Sequence, residues 1–175
     1  MFIEAWGGGA SGAGQNGGTN TSRGAGGGGG QYAFYHYTGT MDATLNITIG
    51  VGGASCTSAC GGNPGSTTSV VGTNLGTISV AGGSAPGCSG PGCGGGVGGN
   101  SGSVPNTANG FLINGGDGGA TFIAVQNYFG VGGDAPRGGQ GGKHNVAVSG
   151  GAPGGGGSGE TIPVAGPAPA PRAGS

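Results

Sequence analysis

Proton-transfer chemistry near neutrality has few carriers in this chain: His36 and His144, with carboxylates at Glu4, Asp42, Asp117, Asp134 and Glu160. A Ser-His-Asp or Cys-His site needs a nucleophile, a base and an orienting group converging in one pocket, and no local spacing here assembles one. His36 stands in an aromatic run, Tyr32 to Tyr37, where an imidazole serves packing, and Lys143-His144 reads as a solvated loop. Two glycine tracts, Gly115-Gly116-Asp117-Gly118-Gly119 and residues 26–30, invite a phosphate-loop reading that fails on context. A P-loop needs Gly-Lys-Ser/Thr opening a helix, and a dinucleotide fingerprint needs a βαβ unit; neither accompanies these tracts. Asp117 and Asp134, each at a glycine turn, read as Asx-turn formers rather than calcium ligands. The expectation is a protein that is not an enzyme and holds no cofactor and no metal.

The cysteines fall in two close pairs, Cys56 with Cys60 and Cys88 with Cys93. Each pair can close locally or the two can be cross-linked, and spacing does not choose among the three connectivities. A four-cysteine zinc site and free thiols are the rivals. Zinc ribbons space their ligands C-x2-C or C-x4-C, whereas here C-x3-C is followed, after 27 intervening residues, by C-x4-C. Disulfides are the reading adopted: each removes unfolded-state freedom worth ~2–4 kcal/mol in a flexible chain, and together they imply an oxidising final environment.

Trp6, Tyr32, Tyr35 and Tyr37 are the side chains best suited to holding a sugar or a protein ligand, because aromatic faces stack and phenolic tips donate hydrogen bonds. On paired strands the same rings also suit a small core or a subunit seam.

These residues must be positioned by a backbone in which glycine fills 54 of 175 places. Glycine has the most conformational freedom to lose on folding, so something other than a large side-chain core has to compensate. Only 5% of residues are charged, with a net balance of -1, so no basic stripe exists for nucleic acid or an anionic membrane surface. No leader-like n- and h-region opens the chain, and no apolar run is long enough to span a bilayer. The expectation is a chain neither exported by a standard signal nor inserted in a membrane. The strict Gly-X-Y triplet of collagen is absent from residues 7–30 and 82–102.

Between the glycine tracts stand strand-like runs. Phe2 to Trp6 reads as a first strand, followed by a long excursion over residues 7–30 in loop or polyproline-II-like conformation. Gln31 to Thr40 alternates Tyr32, Phe34, His36 and Thr38 with Ala33, Tyr35 and Tyr37, which predicts cover on both faces. Asp42 to Gly53 has the cleanest alternation, with Ala43, Leu45, Ile47, Ile49 and Val51 inward, and Gly39 to Asp42 makes it a hairpin or neighbour of the preceding strand. Ser69 to Val71 and Thr77 to Val80 flank a turn at Asn74-Leu75-Gly76; Phe111 to Ile113 and Thr121 to Val125 flank another; Val146 to Val148 is a last short candidate. The predicted fold is all-β, a small sandwich or barrel-like body with long glycine-rich, polyproline-II-like loops. It occupies residues 1–159, with a Pro/Ala-rich extended arm over 160–175.

Trp6-Gly7-Gly8-Gly9, residues 28–32, 49–53 and 115–122, then Gly132-Gly133-Asp134 and residues 150–157, resemble in order the glycine-rich domain of phage tail-fibre and related virion proteins. Each motif is mostly glycine, and their order carries the weight. The resemblance implies a β-sandwich-like body in a virion appendage. It implies a homo-oligomer, trimeric by fibre analogy, located in the virion after assembly in the host cytoplasm, with other virion proteins as partners. The role implied is host attachment, with a surface glycan or protein as receptor and Trp6, Tyr32, Tyr35 and Tyr37 as the receptor-binding candidates. The chain departs from the pattern in starting at the family's first strand and in adding two cysteine pairs, which points to a free-standing virion protein rather than a fibre's terminal domain. A capsid or tail decoration protein, stapled by disulfides, is the alternative. An ice-binding protein of polyproline-II helices is a third reading, against which the missing triplet counts.

Overall fold

The computed structural model describes residues 1–13, 24–55, 61–87, 94–120, 130–142 and 150–157. Among them no helix forms, and six strands run in chain order: β1 (Phe2–Trp6), β2 (Tyr32–His36), β3 (Asn46–Thr48), β4 (Thr68–Gly72), β5 (Gly76–Val80) and β6 (Gly110–Ile113). They make two three-stranded antiparallel sheets, ordered β1-β2-β6 and β3-β4-β5. The fold is all-β, and it is not a closed barrel.

The alternation of each strand sets one face of each sheet toward a shared core. From the first sheet come Ala5, Ala33 and Tyr35, extended by Tyr37, and from the second Val70, Ile78, Val80 and the turn residue Leu75. β1 lies over β4 and β2 over β5. The β4–β5 hairpin forms as its sequence predicts, with Gly72 opposite Gly76. Its three-residue loop ends on Gly76 at φ 80°, a left-handed position that favours a residue without a Cβ. Asp42 braces the loop, its carboxylate accepting the Asn74 and Leu75 amides at 2.7 and 2.9 Å.

Three expectations are corrected. The strand read over Asp42 to Gly53 shrinks to β3, and Ile47, Ile49 and Val51 of its apolar row are 62, 78 and 69% exposed. The reason is an offset: β1 lies over β4 and β2 over β5, and among the described strands none packs on β3 as these do. β3 also does not pair with β2, since the two belong to different sheets. The aromatic strand is shorter than predicted and covered fully on one face only. The predicted strands at 121–125 and 146–148, the four cysteines and the arm at 160–175 lie outside the described residues.

The described glycine tracts have the expected polyproline-II-like character, and the bonds among them gather them, beside the sandwich, into a body of their own. Segment 24–31 runs through its centre and hydrogen-bonds to six neighbours. The Ala25, Gly28 and Gln31 carbonyls accept from Ala13, Ala10 and Gly7, while the Gly28 and Gln31 amides donate to Ser84 and Ala81. Gly26 and Gly29 donate to Gly119 and Gly116 and accept from Gly96 and Gly99. Gly27 and Gly30 donate to Gly157 and Gly154, and Gly24 and Gly27 accept from Gly130 and Gly133. Partners therefore recur every third residue, the turn of a polyproline-II-type helix, which bonds only to its neighbours. Residues 7–13 are accordingly an antiparallel neighbour of 24–31 and not part of an excursion.

Three residues per turn also explains why the body is glycine. A methyl on Gly26, Gly28, Gly29 or Gly30 would overlap a carbonyl of an adjacent segment, at Val131, Val97, Asp134 and Gly7 respectively. In four outer passes one phase in three faces away, and side chains sit there: Val97 and Asn100, Asn114 and Asp117, Val131 and Asp134, Arg137 and Gln140. Between members of each pair stand two glycines. Backbone hydrogen bonds thus supply in this half of the molecule the satisfaction of peptide groups that regular sheets supply elsewhere.

Candidate aromatic binding face

The outward face of the β1-β2-β6 sheet is built by strict alternation. Register places Phe2 beside His36, Glu4 beside Phe34 and then Phe111, and Trp6 beside Tyr32 and then Ile113. The rings touch in sequence. Phe2 stacks on His36 with centroids 4.4 Å apart, Phe34 on Phe111 at 5.4 Å, and Trp6 tilts against Tyr32 at 5.2 Å. Such offset and tilted ring pairs add about 0.5–1.5 kcal/mol beyond the area they bury. The face stays open: Phe2 is 69% and Phe111 46% exposed, and His36 and Ile113 are exposed as well.

A polar corner closes one end. Tyr32, fully buried, donates its hydroxyl proton to Glu4 Oε1 at 2.6 Å. Arg137 lies with its guanidinium carbon 5.6 Å from the Tyr32 ring centre and Nη2 3.8 Å from the same Glu4 oxygen. This ion pair is solvent-facing and adds little stability; it presents a carboxylate and a guanidinium side by side at the margin of the rings. Arg137 occupies a left-handed backbone conformation at φ 52°, which disfavours a side chain. Its turn is held by the Gly138 amide donating to the Ala135 carbonyl and by Trp6 Nε1 donating to the Pro136 carbonyl at 2.9 Å. Burial, then the hydrogen bond and charge of Glu4, raise the Tyr32 phenol above its ordinary value of 10.0, against a smaller lowering by Arg137.

Of the four aromatic candidates, the structure brings Trp6 and Tyr32 together on this face. Tyr35 and Tyr37 point the other way into the core, where Tyr37 donates its hydroxyl proton to the Thr40 carbonyl at 2.6 Å. The rings that are open to a partner, Phe2, Phe34, Phe111 and His36, are ones that sequence reasoning passed over. Their signal was present in the pairing parity, because residues sharing a face with Trp6 and Tyr32 have even numbers in β1 and β2. Asp117 and Asp134 each accept a main-chain amide from a neighbouring segment, Gly98 at 2.8 Å and Gly141 at 2.6 Å, so they tie segments together instead of forming local turns. Among the described residues no group of three or more His, Cys, Asp or Glu is placed to hold a metal ion, and no helix is long and apolar enough to cross a membrane.

Comparison with known proteins gives no assignment. The chain matches no family model, no curated protein and no solved structure. A row of stacked rings edged by one acid and one base can bind and orient a partner by stacking, apolar contact and directed hydrogen bonds.

Proposed function

We propose that the protein is a non-enzymatic component of a phage virion appendage and serves host attachment, engaging a surface glycan or protein through the outward face of β1-β2-β6. The observation that carries this reading is the open ring row, Phe2, Phe34 and Phe111 with His36, mounted on a backbone-bonded glycine body. A binding surface gains affinity when its groups are held in place before contact, and the six-neighbour packing of segment 24–31 supplies such a base. The ordered glycine motifs are what suggest a virion. A homo-oligomer, with a trimer favoured, belongs to the same proposal.

The test is binding of the purified protein to candidate host cells and to their extracted envelope glycans. Phe111→Ser should weaken binding by about 30-fold if the ring is an interface anchor, with little loss of stability because the side chain is already half exposed. Binding equal to that of the native protein would remove the aromatic face from the proposal. A second reading, decoration of the particle, is favoured by the exposed apolar row Ile47, Ile49 and Val51, which suits a neighbouring subunit. Loss of particle cohesion in the protein's absence, with no cell binding, would select it. Ice binding draws on the threefold segments, but their outward rows mix Val131, Asp134, Arg137 and Gln140 and offer no uniform face.

A further inference from the structure

We propose that the free edge of β1 accepts an extended segment of a separate polypeptide as a fourth strand, completing the sheet over the uncovered apolar side of β3. The hydrogen-bond parity of β1 identifies which groups are free. Met1 exchanges bonds with Tyr37, and the Gly7 amide donates to Gln31, so Ile3 and Ala5 between them also face β2. Phe2, Glu4 and Trp6 then direct their main-chain groups the other way. At the Trp6 end that edge is taken, since Thr68 Oγ1 donates to the Trp6 carbonyl at 2.6 Å. Among the described residues nothing bonds to the main-chain N–H or C=O of Phe2 or Glu4.

Beside this edge is a groove of about 700 Å³ lined by Ile3, Leu45, Ile47, Ile49 and Val70. Ile47 shares a sheet face with Val70 and the fully buried Ile78, yet is itself 62% exposed. The cause is the offset between the sheets: among the described residues the first ends one strand short of β3. A strand added to β1 would lie where the missing cover belongs, with alternate side chains entering the groove toward Ile47 and the others joining the Phe2–Glu4 face.

The chemistry of the edge selects the occupant. Free main-chain donors and acceptors in register call for a peptide backbone, the strand-addition mode of recognition. The groove calls for apolar side chains at the positions opposite Ile3 and Ala5. Glu4, whose side chain is 41% exposed, calls for Lys or Arg opposite it. A second copy fits poorly: the antiparallel β1–β1 register with the most overlap sets Glu4 directly against Glu4, and like charges in that position are destabilising.

The probe is the capped peptide Ac-Val-Lys-Val-Thr-Val-NH2, which places Lys opposite Glu4 and Thr opposite Phe2 in antiparallel pairing. Titration into the labelled full chain, followed by amide NMR and hydrogen exchange, should give saturable shifts at millimolar peptide or below and new protection of the Phe2 and Glu4 amides. N-methylation of the Lys and Thr nitrogens removes two edge bonds and should weaken binding about tenfold or more. Ile47→Asn, a change at an exposed position that leaves folding intact, should weaken the unmethylated peptide by a similar factor. Absence of shifts at Phe2 and Glu4, or equal binding of the methylated peptide, would overturn the proposal. It stands apart from the attachment reading, because cell binding that depends on Phe111 can fail while the peptide still binds.

Discussion

Replacing one glycine of the central segment by alanine tests whether backbone contact holds this molecule together. Gly27 is the position chosen. Its φ lies outside the left-handed region, so alanine brings no torsional penalty there, and in the unfolded chain the substitution alone would favour folding by about 0.4–1 kcal/mol. The native state opposes it. A Cβ on Gly27 would sit 2.5 Å from the Ala10 and Ser11 carbonyl oxygens and 2.7 Å from the Ala10 carbonyl carbon. Relief requires a displacement of about 1 Å between segments that have no side chains to absorb it, an overpacking penalty of about 1–3 kcal/mol. The same shift lengthens the bonds Gly27 to Gly157, Gly133 to Gly27 and Ala10 to Gly28, each worth about 0.5–1.5 kcal/mol net. The sum, less the unfolded-state gain, is about 4 kcal/mol, or about 8–16 °C in Tm for a chain of this size.

Gly52→Ala is the matched control. Its Cβ would meet only the Gly9 carbonyl oxygen, at 3.6 Å, an ordinary contact, and Gly52 is also outside the left-handed region. That variant should raise stability by about 0.4–1 kcal/mol. Equilibrium urea unfolding of both variants gives the comparison. Shifts of the same sign and similar size would refute the reasoning, because identical chemistry in a composition-driven or disordered chain has no cause to diverge by position.

Gln31 joins the two halves of the molecule: fully buried, it accepts the Ala81 and Gly102 amides through Oε1 at 3.2 and 3.0 Å and donates to Asn114 Oδ1 at 3.1 Å. Gln31→Leu keeps the bulk and orphans those groups, so urea unfolding should show a loss of about 2–4 kcal/mol. For the Tyr32 phenol, raised in the folded state, the contribution to stability is complete below the unfolded value of about 10 and is lost as pH rises through the folded value, because the unfolded chain then binds fewer protons. Phenolate absorbance should therefore show a late-ionising tyrosine, and the urea midpoint should fall over the same alkaline interval; Tyr32→Phe should remove that transition and flatten the fall, with Tyr37, also raised, leaving a remainder.

Strand identity was legible where alternation and pairing agreed. β1, the β4–β5 hairpin and β6 carry their apolar periods and turn residues in plain view, and they form where those signals place them. The row Leu45, Ile47, Ile49 and Val51 carries an equally clear period and still lies open, because alternation records which side chains share a face and not whether another sheet reaches that face. The offset that uncovers β3 is a relation between sheets, set by how β1 and β2 dock on β4 and β5, and no local window contains it. The glycine body shows the converse. A search for one continuous Gly-X-Y repeat misses it, because the period is interrupted at every reversal of direction and vanishes in the central segment. Yet Asn114-Gly-Gly-Asp117-Gly-Gly-Ala120, Val131-Gly-Gly-Asp134 and Arg137-Gly-Gly-Gln140 each hold the three-residue period over one pass, and a threefold helix with one outward phase demands that pattern of its outer members and uninterrupted glycine of a member surrounded on all sides. The run at 26–30 is thus informative for what it lacks: with neighbours in every direction, there is no phase left at which a side chain could stand.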